Sequence, residues 1–169
     1  MGGRFVAFER SGPIPAPPHG LTWDLLMQIA LAEADKAFQE NEIPVGALIV
    51  DPYGTILQKA HNGTERLNDP TAHAEIMAIR GACQKINNIW LPDCILISTL
   101  EPCLMCSAAL VQARISGLVF GAYDSQAGCI SSFAELLTAM PGAGKIWHMG
   151  GVLSEECAAI LNRFFAKRR

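Results

Sequence analysis

Positive charge is in short supply. Thirteen lysines and arginines face sixteen aspartates and glutamates, a formal net charge of -3 over 169 residues. Any contact with nucleic acid must therefore come from a local basic patch and not from the charge of the whole molecule. Long apolar runs are missing as well. The stretch Phe5 to Phe8 stops at Glu9 and Arg10, too short for a signal-peptide core, and no run approaches the ~20 residues that span a bilayer. No membrane partner is expected. Charged residues make up only 17% of the chain against 50% hydrophobic ones, which excludes a long disordered polyelectrolyte and fits one soluble domain with a substantial core. Six cysteines are too few for a dense disulfide framework, and a Cys-x-x-Cys with a distant histidine is better explained by metal binding in a reducing, cytoplasmic setting.

What the chain does have is ordered along its length. Glycines and prolines crowd residues 1–20 and bar a regular helix there, so a flexible N-terminal arm is expected ahead of a single domain over 21–169. Thr22 is a plausible N-cap for a helix over about 23–40, whose Leu25, Leu26, Ile29, Ala30, Ala37 and Phe38 recur at helical spacing. Val45 to Val50 reads as a buried strand, and Asp51-Pro52-Tyr53-Gly54 as a turn into a second strand near Thr55. Thr71 can cap a helix with an Ile76, Ile79, Cys83, Ile86 stripe. A strand at Cys94 to Thr99, a helix opened by Pro102 and a strand at Leu118 to Phe120 predict a parallel pair with a helical crossover. A helix near Phe133 to Thr138, a short strand at Ile146 to Met149 and a last helix from Ser154 complete the expected fold. It is an α/β chain, a three-layer α/β/α sandwich around a central mixed sheet of about five strands.

The chemistry is concentrated in two short stretches, His73-Ala74-Glu75 and Pro102-Cys103-Leu104-Met105-Cys106. One imidazole and two thiols make three zinc ligands, and three protein ligands leave a fourth tetrahedral position open for water, as in catalytic zinc sites. Cys103 and Cys106, three apart, project from one side of a helix, and its N-terminus favours thiolates. The competing reading of Cys103 and Cys106 is a buried thiol pair; the presence of His73 and Pro102 favours zinc. His19, His61 and His148 have no comparable company and are read as structural or exposed. Glu75 is either a carboxylate favoured by the helix dipole or a proton carrier beside the metal. Spacing alone does not choose, because residues two apart on a regular helix face different ways. Cys83, Cys94, Cys129 and Cys157 read as core or boundary thiols.

The two stretches together resemble the signature of the zinc-dependent cytidine deaminase superfamily. The wider blocks Glu42-Ile43-Pro44-Val45-Gly46-Ala47, Asn62, Asp69 to Ala78, Thr99 to Cys103, Phe120-Gly121-Ala122 and Phe164-Phe165 are similar to its bacterial tRNA-specific adenosine deaminase branch over about residues 23–169. The resemblance implies a cytidine deaminase-like fold and a homodimer. It also implies water activated by Zn2+ at His73, Cys103 and Cys106, with Glu75 carrying protons and adenosine converted to inosine at the wobble position of a tRNA anticodon stem-loop. Asn62 matches the family position that contacts the base, although a loop asparagine bonded to nearby backbone would look the same. Asp124 falls where the family meets the RNA backbone or sugar, and equally suits a turn. Tyr123, Gln126, Ala143 and Gly144 depart from the more basic family pattern. Arg163, Lys167, Arg168 and Arg169, interleaved with Phe164 and Phe165, offer a compensating cationic tail or simply a helix end. Two alternatives remain at this level: a small-molecule guanine, cytosine or nucleoside deaminase with the same zinc core, and a noncatalytic RNA-binding subunit with structural zinc, against which the presence of Glu75 argues.

Overall fold

The computed structural model describes residues 15–132, Leu137 and residues 146–168. The expected helix near 133–138, the Ala143-Gly144 departure, Arg169 and residues 1–14 of the arm lie outside them, apart from Leu137. The described end of the arm turns at Pro18, whose carbonyl accepts the Leu21 N–H at 3.1 Å, and His19 stacks on Tyr53.

Helix α1 spans Trp23–Gln39, and Thr22 caps it, its hydroxyl accepting the Leu25 N–H at 3.1 Å. Strands β1 (Gly46–Val50) and β2 (Ile56–His61) form the antiparallel hairpin. Its turn is held by Asp51, whose Oδ1 accepts the N–H groups of Tyr53 and Thr55, while Gly54 supplies the positive φ of 87°. Helix α2 (Ala74–Ile86), strand β3 (Ile95–Leu100), helix α3 (Leu104–Gln112) and strand β4 (Gly117–Ala122) follow, with β3 and β4 parallel. Strand β5 (Trp147–Met149) adds parallel to β4, and helix α4 (Ser154–Lys167) ends the fold. The sheet order is β2-β1-β3-β4-β5.

Period-two alternation in the strands builds a layer on each side of the sheet. Ala47, Ile49, Leu96, Leu118 and Phe120 pack with Ala74, Ala78 and Ala82 of α2 and Leu110 of α3. Leu48, Val50, Ile95, Ile97 and Val119 pack on the other side with Leu26, Met27 and Ala30 of α1 and Cys157 of α4. The α/β/α sandwich expected from the sequence is thus present. At Gly46 the contact is closer still: a Cβ there would lie 2.0 Å from the Ala30 carbonyl oxygen and 2.5 Å from the Ala34 nitrogen, so α1 rests with its backbone against β1.

Two helix starts differ from expectation. Thr71 does not cap α2, because its N–H and hydroxyl both donate to Asp69 Oδ1, at 2.8 and 2.7 Å; the cap position is His73. Pro102 does not open α3, which is capped by Cys103 and begins at Leu104. Among the described residues no helix is long and apolar enough to cross a membrane.

Candidate active site

The start of β1 and the ends of β2, β3 and β4 all lie at one edge of the sheet, a consequence of the antiparallel hairpin and the parallel β3–β4 pair. A pocket of about 470 Å³ opens there, at the carboxyl ends of the parallel strands where open α/β sheets hold their ligands. Asn62 follows the end of β2, Leu100, Glu101 and Cys103 come from the end of β3 and just past it, and Tyr123 to Ala127 follow β4; His73, Glu75, Leu161 and Phe165 complete much of the lining.

His73, Cys103 and Cys106 meet beside this pocket, their ligand atoms all within 4.8 Å of one another. His73 Nδ1 lies 3.7 Å from Cys103 Sγ and 3.5 Å from Cys106 Sγ. A tetrahedral zinc with ordinary Zn–S and Zn–N bonds has N···S edges of about 3.6 Å, so the donor set fits the ion in both chemistry and spacing. The local backbone explains the convergence that regular helix geometry does not provide. His73 and Cys103 are cap residues in extended conformation, φ/ψ of -69°/150° and -75°/177°, so neither belongs to the helix that follows it. Freed from helical phase, the His73 ring reaches the cluster while Glu75, inside the first turn of α2, takes its own direction. Cys103 and Cys106 stand in the relation of N-cap and N3, which lie close together at a helix entry. Their shared side follows from that cap relation and not from two positions inside one helix.

The protein groups alone polarise the cluster. A hydrogen bond from Cys106, opposed by burial and aided by His73, pulls the Cys103 thiol down to about 4. The Cys103 sulfur and burial push Cys106 up, and Cys103 raises His73 against desolvation. Low-pKa thiolates are good metal ligands, and a bound divalent cation takes both sulfurs deprotonated. The other thiols are inert by comparison: burial raises Cys94 to about 11 and Cys157 to about 12. All six cysteines are free.

Glu75 is only 4% exposed yet lines the pocket. Burial pushes its pKa up, opposed by its own backbone N–H and by His73, which makes the carboxylate a better proton acceptor than a solvated one. Asn62 is buried and lines the pocket too. Asp124 lies at the rim, where its Oδ1 accepts the N–H groups of Gln126 and Ala127 at 2.9 and 3.2 Å, so it shapes the turn that carries it. Of the other histidines, His61 is structural, held between Glu33 and Glu40.

Nothing in the spacing marks Glu42 or Glu101, yet both are fully buried carboxylates that fasten the pocket walls. Glu101 accepts the N–H groups of Asp124, Ile130, Ser131 and Ser132 and the Ser132 hydroxyl. Glu42 accepts the N–H groups of Glu65 and Arg66, the Thr64 hydroxyl and the Asn62 amide. Both fall in blocks that carry the family resemblance, each one or two residues from a proline, but nothing local marks the role of either. The cationic tail turns inward in part. Lys167 and Arg163 lie over Phe38, while Arg168 lies over Phe164 and donates to the Asn41 carbonyl at 2.7 Å. Phe164 is core, and Phe165 remains half exposed in the pocket lining.

A zinc-binding region of cytidine and deoxycytidylate deaminases matches residues 22–122, which contain the whole His/Glu and Cys-x-x-Cys constellation. The chain belongs to this deaminase family. Among its curated relatives, the tRNA-specific adenosine deaminase of Aquifex aeolicus is 43% identical over 86% of this chain and 95% of its own length. That of Haemophilus influenzae is 43% identical over 85% and 83%. A structure from work on A-to-I editing by tRNA:A34 deaminases at the wobble position of transfer RNA superposes with a TM-score of 0.76 at 39% identity, covering 80% of this chain and 98% of that one. The guanine deaminase of Nitrosomonas europaea, 20% identical with a TM-score of 0.76 over 90% and 87%, shares the fold. The deaminase is zinc-dependent, and its His/Cys/Cys cluster offers a fitting donor set for that ion.

Proposed function

We propose that this deaminase converts adenosine to inosine at the wobble position of tRNA by zinc-dependent hydrolysis, with His73, Cys103 and Cys106 as the metal ligands and Glu75 as the proton carrier. The observation that carries the reading is one pocket bordered by a three-donor zinc cluster with room for a fourth ligand and by a buried, unliganded carboxylate. Zinc in this site supplies a Lewis acid strong enough to make water nucleophilic near neutral pH. Glu75 would take one proton from the water as it adds at C6 and pass it to the purine ring nitrogen, then take the second from the new hydroxyl and pass it to the amine, so that ammonia departs and a C6 carbonyl remains. The burial of Glu75 keeps bulk water from competing for those protons. The nucleotide must leave its stack to enter so narrow a site, which favours a splayed anticodon-loop base over one inside a duplex. Asn62 contacts the nucleotide from the β2 side of the pocket. Asp124 orients the loop that meets the flanking sugar or phosphate.

A homodimer is part of the proposal. Helix α3 carries no charged residue, and Leu104 in its first turn is 59% exposed, a combination that suits burial against a second copy. A tRNA substrate and six free thiols support a reading in which the enzyme works in the reducing cytoplasm.

The test is inosine formation in a defined anticodon stem-loop, run beside ammonia release from guanine, cytosine and free nucleosides. Inosine in the stem-loop supports the proposal; turnover of free bases alone replaces it with the small-molecule reading. Elemental analysis of Cys103→Ala should show the metal lost, and retention of stoichiometric zinc would remove Cys103 from the ligand set.

A further inference from the structure

Asn62 is fixed in one orientation by a closed set of hydrogen bonds. Its Nδ2 lies 3.2 Å from Glu42 Oε2 and 3.3 Å from Thr64 Oγ1, and the Thr64 hydroxyl itself lies 3.4 Å from the same Glu42 oxygen. A carboxylate accepts only, so the amide nitrogen and not the oxygen must face Glu42. Thr64 then donates to Glu42 and accepts from Asn62, so the amide nitrogen is turned to this side. Backbone bonds hold the residue from both sides: Asn62 N–H donates to the Val45 carbonyl and Gly63 N–H to that of Ala72, each at 3.0 Å. No donor among the described residues reaches Asn62 Oδ1. No buried side-chain nitrogen or oxygen among them lacks a partner, so this oxygen is not sealed in protein, and the pocket is the space that Asn62 lines.

We propose that Glu42 is a positioning residue that sets the polarity of the substrate pocket: it holds Asn62 so that a carbonyl oxygen, an obligate acceptor, is presented to the nucleotide, which must meet it with an N–H or O–H donor. The proposal rests on the assignment of this pocket to a nucleotide. It adds which atom of Asn62 is offered and which residue chooses it. A site built in this way discriminates strongly against an analogue lacking the matching donor, because the buried acceptor would be left unpaired.

Two measurements on the zinc-loaded protein test it. In NMR spectra of the substrate-free enzyme, the side-chain NH2 pair of Asn62, assigned by its disappearance in Asn62→Asp, should be protected from solvent exchange. Glu42→Gln should remove that protection, and Thr64→Val should weaken it by less. Rapid exchange of the wild-type pair overturns the proposal whether or not the enzyme acts on RNA. The second measurement is inosine formation in an anticodon stem-loop. Glu42→Gln turns an amide NH2 toward the amide of Asn62, and Asn62→Asp sets two carboxylates together, so each single change should lower kcat/KM about 10- to 100-fold. The double variant Glu42→Gln/Asn62→Asp restores a donor–acceptor pair with an oxygen facing the pocket, and should recover at least part of that loss. A folded double variant as poor as the product of the singles overturns the positioning role. Absence of inosine with the wild type, alongside a protected NH2 pair, would instead reject the tRNA reading and leave the polarity of the pocket standing.

Discussion

Glu75 and Glu101 are two buried carboxylates that line the same pocket, 4% and 2% exposed, and their surroundings drive them in opposite directions. Glu75 has burial with little compensation, and its pKa rises. For Glu101 burial also pushes upward, but hydrogen bonds from Ser132, Ser131 and Asp124 outweigh it and hold the carboxyl below the usual range. Burial alone therefore does not make a catalytic acid; a buried carboxylate with few donors can exchange protons, whereas one surrounded by donors becomes a fixed anchor. In the proposed reaction the pair would divide the work of the site, Glu75 carrying protons while Glu101 holds the wall.

The sharpest way to break this contrast is to remove each carboxylate in turn. Glu75→Ala should keep its zinc, as measured by elemental analysis, and lose about 10²- to 10⁴-fold or more in kcat, with thermal stability little changed. Ammonia release close to wild type would strip Glu75 of its role. Glu101→Ala should show the reverse pattern. The buried Ile130 N–H left unpaired costs on the order of 1–3 kcal/mol, and the part-buried N–H groups of Ser131 and Ser132 add less, so denaturant unfolding should shift, while a fraction that remains folded keeps its metal.

A smaller effect comes from pH. Because the folded pKa of Glu101 is depressed from its ordinary 4.5, its contribution to stability is complete above the unfolded value and is lost as pH falls through the folded one. The melting temperature of the wild type should thus drop more steeply below about pH 4.5 than that of Glu101→Gln. Parallel curves would mean that the donors around Glu101 do not stabilise its charge. Smallest is the salt response. Binding of an anticodon stem-loop should weaken with salt at a slope near -0.7 per phosphate contact, and Glu75→Ala should leave that slope unchanged, since the role proposed for Glu75 is at the reacting base and not at a phosphate.

Much of this was readable in the residues. The Asp51-Pro52-Tyr53-Gly54 turn, the β3–α3–β4 crossover and the α1 cap at Thr22 all carry local chemistry strong enough to predict, and each is present. The metal trio was legible because ligand type and spacing are themselves the signal, and the trio meets in space. The way it meets was not. Helical phase predicts that His73 and Glu75 diverge, and only the extended backbone at His73 removes the conflict. Thr71 failed as a cap because Asp69 two residues earlier competes for its side chain. The roles of Glu42 and Glu101 were invisible for another reason: their partners lie 20 or more residues away along the chain, and no local pattern encodes such pairings.

The placement of His73 and Cys103 at the first joints of α2 and α3 has one more consequence. An ion gripped there would act as a clasp between two helix origins that otherwise meet only through side-chain packing. Stripping it with a chelator should let those first turns unravel before the sheet beneath them, so that hydrogen exchange quickens at residues 74–77 and 104–107 while β1 and β3 stay quiet.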